Sequence, residues 1–312
     1  MPSDLVLAQL ASADGLSPQL IITTANALIQ KVPPRALMRK QVFRLAQGNR
    51  VDMDALVSWL ENNGFLRVST VRDTGEYAVR GGILDLFAPG QDTPIRLDFF
   101  GDTLETVRSF DAETQRTVGQ VITLELVPMS EVILSKEAIG NFRRNYISMF
   151  GAASPEDTLY HGVSEGRRHP GMEHWLPLFY DELETLGDYF AGANVVFDHL
   201  AEEAMAERFK QAEDHFEARG QTLDSEKGSK SAPYHPIEVD GLYLSPETLK
   251  MALSSFETGL LTPFDAPDGP ATRVLSLSGR IGRSFSAERA AADVNIFDAL
   301  LTHAGYLRKA GR

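Results

Sequence analysis

Between Gly75 and Thr117 the chain reads GEYAVRGGILDLFAPGQDTPIRLDFFGDTLETVRSFDAETQRT. Apolar and polar residues alternate there between glycine-containing breaks, which reads as three strands and two tight connections. In Ile95–Phe100 successive side chains point to opposite sides of the sheet. Ile95, Leu97 and Phe99 share one face, and Arg96, Asp98 and Phe100 share the other. A large aromatic among charges on the solvent side of a small sheet suits a protein-binding surface, because Phe and Arg are frequent interface anchors. The plainer alternative is a half-buried strand whose Phe100 folds over a sheet edge.

The flanking segments give this sheet a helix. Gln41–Leu45 reads as a strand and Gly48-Asn49 as a turn. Asp52 is suited to cap a helix over 53–63, since its carboxylate accepts the orphan amides of a first turn. Leu56, Trp59 and Leu60 make the apolar stripe, and Gly64 is placed to end the helix. Phe65–Arg72 returns as a strand. The pair Gly81-Gly82 inside a strand pattern predicts a bulge or a sharp bend, and Phe99 to Asp102 closes a hairpin. The sheet is expected to be mostly antiparallel, packed on one helix.

Elsewhere the pattern changes. Leu20–Thr24 is a short apolar run consistent with a buried parallel strand, followed by a helix that Pro33 and Pro34 stop. Helices are expected from Ser135 to about Phe150, from Ser154-Pro155 with proline at its preferred first position, and over Glu202–Arg219. Ala193–Asp198 reads as a strand pairing with the N-terminal α/β piece, Trp175–Phe179 as core, and 222–235 as a polar loop. Pro263, Pro267, Gly269 and Pro270 mark a linker. Beyond it Val274–Leu277 is a candidate strand and Asn295–His303 an amphipathic helix. Both ends of the chain read as cut through α/β domains.

Composition narrows the function. The 312 residues allow two or three domains, and 43% hydrophobic with 23% charged residues is ordinary for a globular protein. A net charge of −13 argues against the whole chain as a strong DNA binder, because such affinity rests on basic patches. Arg143-Arg144 and Arg167-Arg168 are the candidate local patches. With no cysteine there is no disulfide, thiolate zinc site or cysteine nucleophile, which fits a reducing cytoplasm.

Catalytic patterns are missing. No Walker A sequence is present; the nearest text, Gly228 to Ser231, lacks the glycine that precedes the lysine. The seven histidines, 161, 169, 174, 199, 215, 235 and 303, form no H-E-x-x-H pattern, so no metal is expected. There is no G-x-S-x-G elbow. Asp85 is a lone strand carboxylate, more consistent with a hydrogen-bonded structural group than with a base.

Three ordered, ungapped motifs carry a family resemblance: Gly75 to Phe87, Arg96 to Phe100, and Ser109 to Arg116. They resemble the UvrB-like second domain of the bacterial transcription-repair coupling factor (Mfd) family, which shares its fold with the UvrA-binding domain of UvrB. Gly171 to Phe179 and Ala206 to Phe209 extend the resemblance, which weakens between about Gly220 and Ser245 and again after Pro263. The fold it implies is α/β and α+β multidomain. It comprises a truncated UvrB-like α/β domain (1–40), a small mostly antiparallel α+β UvrA-binding domain (41–128), a mainly helical domain (129–255), and a linker with a partial C-terminal α/β domain (256–312).

The resemblance also implies a role. The family releases stalled RNA polymerase with an ATP-driven DNA translocase and recruits UvrA. This chain is expected to hold the recruitment part only, with no motor, no catalytic residue and no cofactor of its own; ATP and Mg²⁺ serve the full-length family. Contacts to RNA polymerase and DNA are expected to lie outside it, and the location to be the bacterial cytoplasm. A C-terminal domain masks the UvrA surface in the family, so constitutive binding is expected without it. The residues implied for UvrA are Arg80, Arg96 and Phe100. Arginine forks pair with partner carboxylates, Phe100 supplies an apolar anchor, and Asp98 is the expected internal mate of the arginines. A fragment of UvrB and a stand-alone adaptor on the same fold are the alternatives.

Overall fold

The computed structural model describes residues 3–12, 20–190, 192–225, 235–264, 269, 273–277, 283–291 and 295–309. They fall into two units, Met1–Leu261 and Thr262–Arg312. The first is a mixture of helices and several small sheets. It opens with α1 (Ser3–Ser12), α2 (Ala25–Ile29), β1 (Lys31–Val32) and α3 (Arg35–Lys40). Next come β2 (Phe43–Ala46), α4 (Met53–Asn62), β3 (Leu66–Arg67), β4 (Glu76–Arg80), β5 (Ile83–Leu86) and β6 (Ile95–Phe100). They are followed by β7 (Thr103–Phe110), β8 (Thr117–Gln120) and β9 (Thr123–Leu126). The remainder holds α5 (Lys136–Phe150), α6 (Thr158–Ser164), a 3-10 turn at Met172–Trp175, α7 (Leu176–Phe179), β10 (Glu184–Thr185) and α8 (Leu186–Tyr189). It ends with β11 (Asn194–Asp198), α9 (Ala201–Ser225), α10 (Val239–Leu242), α11 (Pro246–Leu253) and β12 (Glu257–Leu261).

Strands β3 to β8 form one six-stranded sheet in sequence order, antiparallel except for the β3–β4 pair. Its inner face follows directly from the period-two pattern. Tyr77, Leu84, Leu86, Ile95, Leu97 and Val107 are buried against Leu56 and Leu60 of α4. Asp52 caps that helix, accepting from the amides of Asp54 and Ala55, and Gly64 (φ 94°) turns the chain out of it. Strands β2 and β9 pair beside the sheet and close the same core.

Two further cores lie in this unit. One gathers Phe142 and Tyr146 of α5 with Trp175, Leu178 and Phe179. Phe142 and Phe179 stack with ring centroids 5.0 Å apart. The other joins α1, α2, α8, α9 and α11 through residues such as Leu7, Ile29, Tyr189, Met205 and Leu249.

Several sequence expectations change. Leu20–Thr24 is not in a strand, and Leu20 and Ile22 are exposed; an apolar run becomes a strand only where another strand pairs with it. Phe65–Arg72 contributes only the two residues of β3, because the 68–72 segment lifts away to cover part of the outer face. The helix expected from Ser154-Pro155 begins instead at Thr158, where the Asp157 carboxylate caps the Tyr160 amide. Strand β11 pairs in parallel with β12, not with the N-terminal piece. The pair Gly81-Gly82 makes the sharper of its two expected features, a two-residue hairpin turn with positive φ at Gly81 alone, and by splitting β4 from β5 it gives Gly75–Thr117 four strands where three were expected. Register shifts occur in β7, where Asp98 pairs with Thr106 and Phe99 with Leu104, leaving Glu105 over, and between β7 and β8, where Ser109 pairs with Gly119 and Phe110 with Thr117.

In the second unit α12 (Ser286–Ala290) and α13 (Ile296–Lys309) are described. The described residues 273–277 are irregular, so Val274–Leu277 is not a strand, while the helix expected at Asn295–His303 is present and longer. The Gly228 to Ser231 text lies outside the described residues.

Candidate protein-binding site

The outer face of the six-stranded sheet is built by cross-strand register. One row runs Ala78, Asp85, Arg96, Arg108 across β4 to β7, and the next runs Arg80, Ile83, Asp98, Thr106. Phe100 opposite Thr103 ends the array at the β6–β7 turn. Opposed side chains on neighbouring strands stand about 4.5–5.5 Å apart at Cβ, so these rows decide which charges meet.

Asp85 is the centre of the face. Its side chain is only 2% exposed, and Arg96 grips it with both ends of its fork, Nε to Oδ1 at 2.7 Å and Nη2 to Oδ2 at 2.8 Å. These hydrogen bonds raise the Arg96 guanidinium above the ordinary arginine value, against the opposing effect of burial. The same guanidinium lies 4.8 Å from the centroid of the Phe110 ring, a cation–π contact. Arg80 approaches Asp85 from the other side, Nη1 to Oδ2 at 3.9 Å, and donates to the Ser69 carbonyl and the Thr70 hydroxyl. The Gly81-Gly82 turn and the strand register therefore place Arg80 and Arg96 on one face, with the carboxylate they share between them.

Asp98 is not the mate of Arg96. It accepts from the Thr106 hydroxyl and from Nε and Nη2 of Arg108. The reason is register: Asp85 stands directly across from Arg96, whereas Asp98 is two residues along the same strand. The Arg80–Asp85–Arg96 and Asp98–Arg108 groups together set three guanidiniums against two carboxylates.

The three implied residues differ in how much they offer a partner. Phe100 is 77% exposed, so it does not fold over the sheet edge. The Arg80 side chain is 50% exposed and that of Arg96 only 19%. Ile83, one row from Phe100, is a further exposed apolar side chain. Sequence reasoning missed Ile83 and Arg108, although both follow from alternation once β5 and β7 are aligned with β6.

Backbone geometry fixes this face. A Cβ on Gly82 would lie 2.8 Å from the Phe99 carbonyl oxygen, and the Phe99 amide donates to the Gly82 carbonyl at 2.7 Å. The segment before α4 holds the far end of the hairpin. The Gly48 amide donates to the Leu104 carbonyl, the Leu104 amide to Asn49, and the Val51 amide to Asp102, all at 2.7–3.0 Å.

The candidate basic pairs are engaged within the fold. Arg143 donates to the Ser164 carbonyl, Arg144 to Asn141, and Arg168 to the carbonyls of Asn62 and Val132. Arg167 pairs with Glu165. No metal-holding cluster of His, Cys, Asp or Glu occurs among the described residues, and none of their helices is long and apolar enough to cross a membrane.

Comparison with known proteins addresses the same region. Residues 43–131 match the family model of the UvrB interaction domain. The chain is 37% identical over 192 residues to the transcription-repair-coupling factor of Escherichia coli, covering 61% of this chain and 17% of that protein. It is 36% identical over 239 residues to that of Rickettsia prowazekii and 33% identical over 240 residues to that of Haemophilus influenzae; each match covers 76% of this chain and 20% of the relative. The chain thus spans about a fifth of the length of these relatives. The described sheet thus coincides with a UvrB interaction domain, inside a longer stretch over which this chain is similar to part of the transcription-repair-coupling factors.

Proposed function

We propose that this chain is the UvrA-recruiting module of a transcription-repair-coupling factor, and that UvrA docks on the outer face formed by β4 to β7. The carrying observation is Phe100, a large aromatic left 77% exposed on the same sheet face as Arg80 and Arg96, whose charges are ion-paired. Exposed aromatic and arginine side chains on a rigid backbone are what concentrate binding energy at an interface. Phe100 is the apolar anchor. Arg80, half exposed, supplies the fork for a partner carboxylate. Arg96 presents the remaining edge of its guanidinium while holding Asp85 in place.

UvrA recruitment in competition with UvrB is the activity proposed for this chain. ATP hydrolysis, translocation on DNA and the grip on RNA polymerase are assigned to other parts of the full-length protein, in keeping with the missing Walker A sequence here. The test is calorimetric titration of purified UvrA with this chain and with its Phe100→Ala variant, with UvrB as competitor. Saturable binding that UvrB displaces and Phe100→Ala weakens supports the proposal; absence of binding by the unaltered chain overturns it.

A further inference from the structure

A second site lies away from the sheet, where α9 packs against α10 and the loop before α7. A cavity of about 570 Å³ opens there, within the roughly 300–1,000 Å³ range of small-molecule sites. Five of its lining residues carry or accept positive charge: His169, His174, Arg208, His215 and Arg219. None of the described residues lining it is an aspartate or glutamate, in a chain with 43 acidic and 30 basic residues.

The asymmetry is built into the helix. At about 100° per residue, Arg208, Ala212, His215, Phe216 and Arg219 of α9 occupy an arc of roughly 100°. On the same count Glu202, Glu203, Glu207, Glu213, Asp214 and Glu217 fall on the far side, facing away from the cavity. Across the cavity, Gly171 (φ 89°) turns the chain into the 3-10 turn Met172–Trp175. Met172 and Trp175 are thereby buried while His174 stays exposed.

Arg208 shows what such a site lacks. Among the described residues its guanidinium has one ring contact, 5.8 Å from the Tyr243 centroid, and its Nε is buried with no acceptor. A partly buried cation without a hydrogen-bonded partner is costly unless an anion offsets it. The floor is apolar, with Phe216, Ile237 and Leu242. A bare inorganic anion would leave that floor unused, and the cavity suits one ligand body rather than a long polymer.

We infer that this cavity binds a nucleoside monophosphate, with its phosphate on the α9 stripe and its base on the apolar floor. The same chemistry is offered by a free mononucleotide or by the phosphorylated end of a single strand. The inference is independent of the sheet face and of UvrA.

The test is calorimetry on this chain with adenosine 5′-monophosphate as probe, beside adenosine and inorganic phosphate. Binding of the monophosphate at least tenfold tighter than either component is expected. Loss of at least tenfold is expected in a His215→Gln, Arg219→Gln double variant, whose changes lie on the exposed helix surface, with its melting curve retained. Arg208→Gln is expected to weaken binding similarly. Binding of 5′-phosphorylated oligothymidylate but not its dephosphorylated form would identify the strand end as the source and support the inference. Three results would overturn it: no preference for the monophosphate over phosphate, equal binding by the double variant, or saturable binding by polyglutamate alone. The last would make the cavity a dock for an acidic polypeptide.

Discussion

Arg96 and Asp85 face each other across β5 and β6 and are joined by two hydrogen bonds of 2.7 and 2.8 Å, with the carboxylate almost wholly buried. A residue implied in binding is thus also a structural partner, and its removal cannot be read as a pure loss of contact. Removing one member of a buried pair costs roughly 3–5 kcal/mol, because the other charge is left uncompensated. Arg80 still approaches Asp85 at 3.9 Å, so Arg96→Ala is expected to lower the urea unfolding free energy by about 3 kcal/mol, the bottom of that range. An Arg96→Ala, Asp85→Ala double variant should recover part of the loss.

Phe100 offers the clean test of the face. At 77% exposure its truncation removes little packing, and surface changes of this kind fall within about 0.5 kcal/mol. Phe100→Ala is expected to unfold at the wild-type urea midpoint while losing about 2 kcal/mol of UvrA affinity, roughly thirtyfold. A shifted midpoint with unaltered affinity would reverse the assignment of this residue.

Gly82 has a steric role. Its built Cβ falls 2.8 Å from the Phe99 carbonyl, a backbone atom that cannot swing aside. Gly82→Ala is expected to destabilise by about 1–3 kcal/mol, the range for overpacking. Amide shifts in a nuclear magnetic resonance spectrum should concentrate on Phe99 and Phe100. Gly101 has nothing within 4 Å of a built Cβ, so any cost of Gly101→Ala comes from its positive φ of 58° alone.

Alkaline pH should weaken the fold. Tyr77, Tyr146 and Tyr189 all lie above their ordinary value of 10.0, chiefly through burial; Tyr77 also donates to Glu61, and Tyr146 to Asp157. A group whose folded value is raised contributes stability in full below the unfolded value and loses it above. Stability is therefore expected to hold to about pH 10 and then fall. The slope is about 1.4 kcal/mol per pH unit for each tyrosine that ionises only in the unfolded chain. Urea midpoints between pH 9 and 11 would show it, and Tyr189→Phe should flatten the slope by one tyrosine's share.

The alternation of Ile95–Phe100 and the cap at Asp52 were legible because each depends on residues close in sequence. Charge pairing across the sheet was not. Asp85 faces Arg96 and not Asp98 because of how many residues the connection between β5 and β6 consumes: a two-residue shift would put Asp98 opposite Asp85, and a one-residue shift would turn the set to the other face. On either side of that pair, the two-residue Gly81-Gly82 turn sets Arg80 opposite Ile83, and the Glu105 bulge helps set Asp98 opposite Thr106. Leu20–Thr24 misled for a related reason, since β propensity describes a fit to neighbours that a sequence run does not supply. The face of Arg80, Arg96 and Phe100 came from the motifs, while Ile83 and Arg108 needed the aligned strands.

The clamp on the β6–β7 hairpin by Gly48, Asn49 and Val51 has a kinetic meaning. An aromatic standing on backbone already held from a neighbouring segment has little conformational freedom left to surrender when a partner arrives. For the docking proposed above, encounter then costs little ordering entropy, and changes at the tip of this hairpin are expected to alter the time a partner stays more than the rate at which it lands.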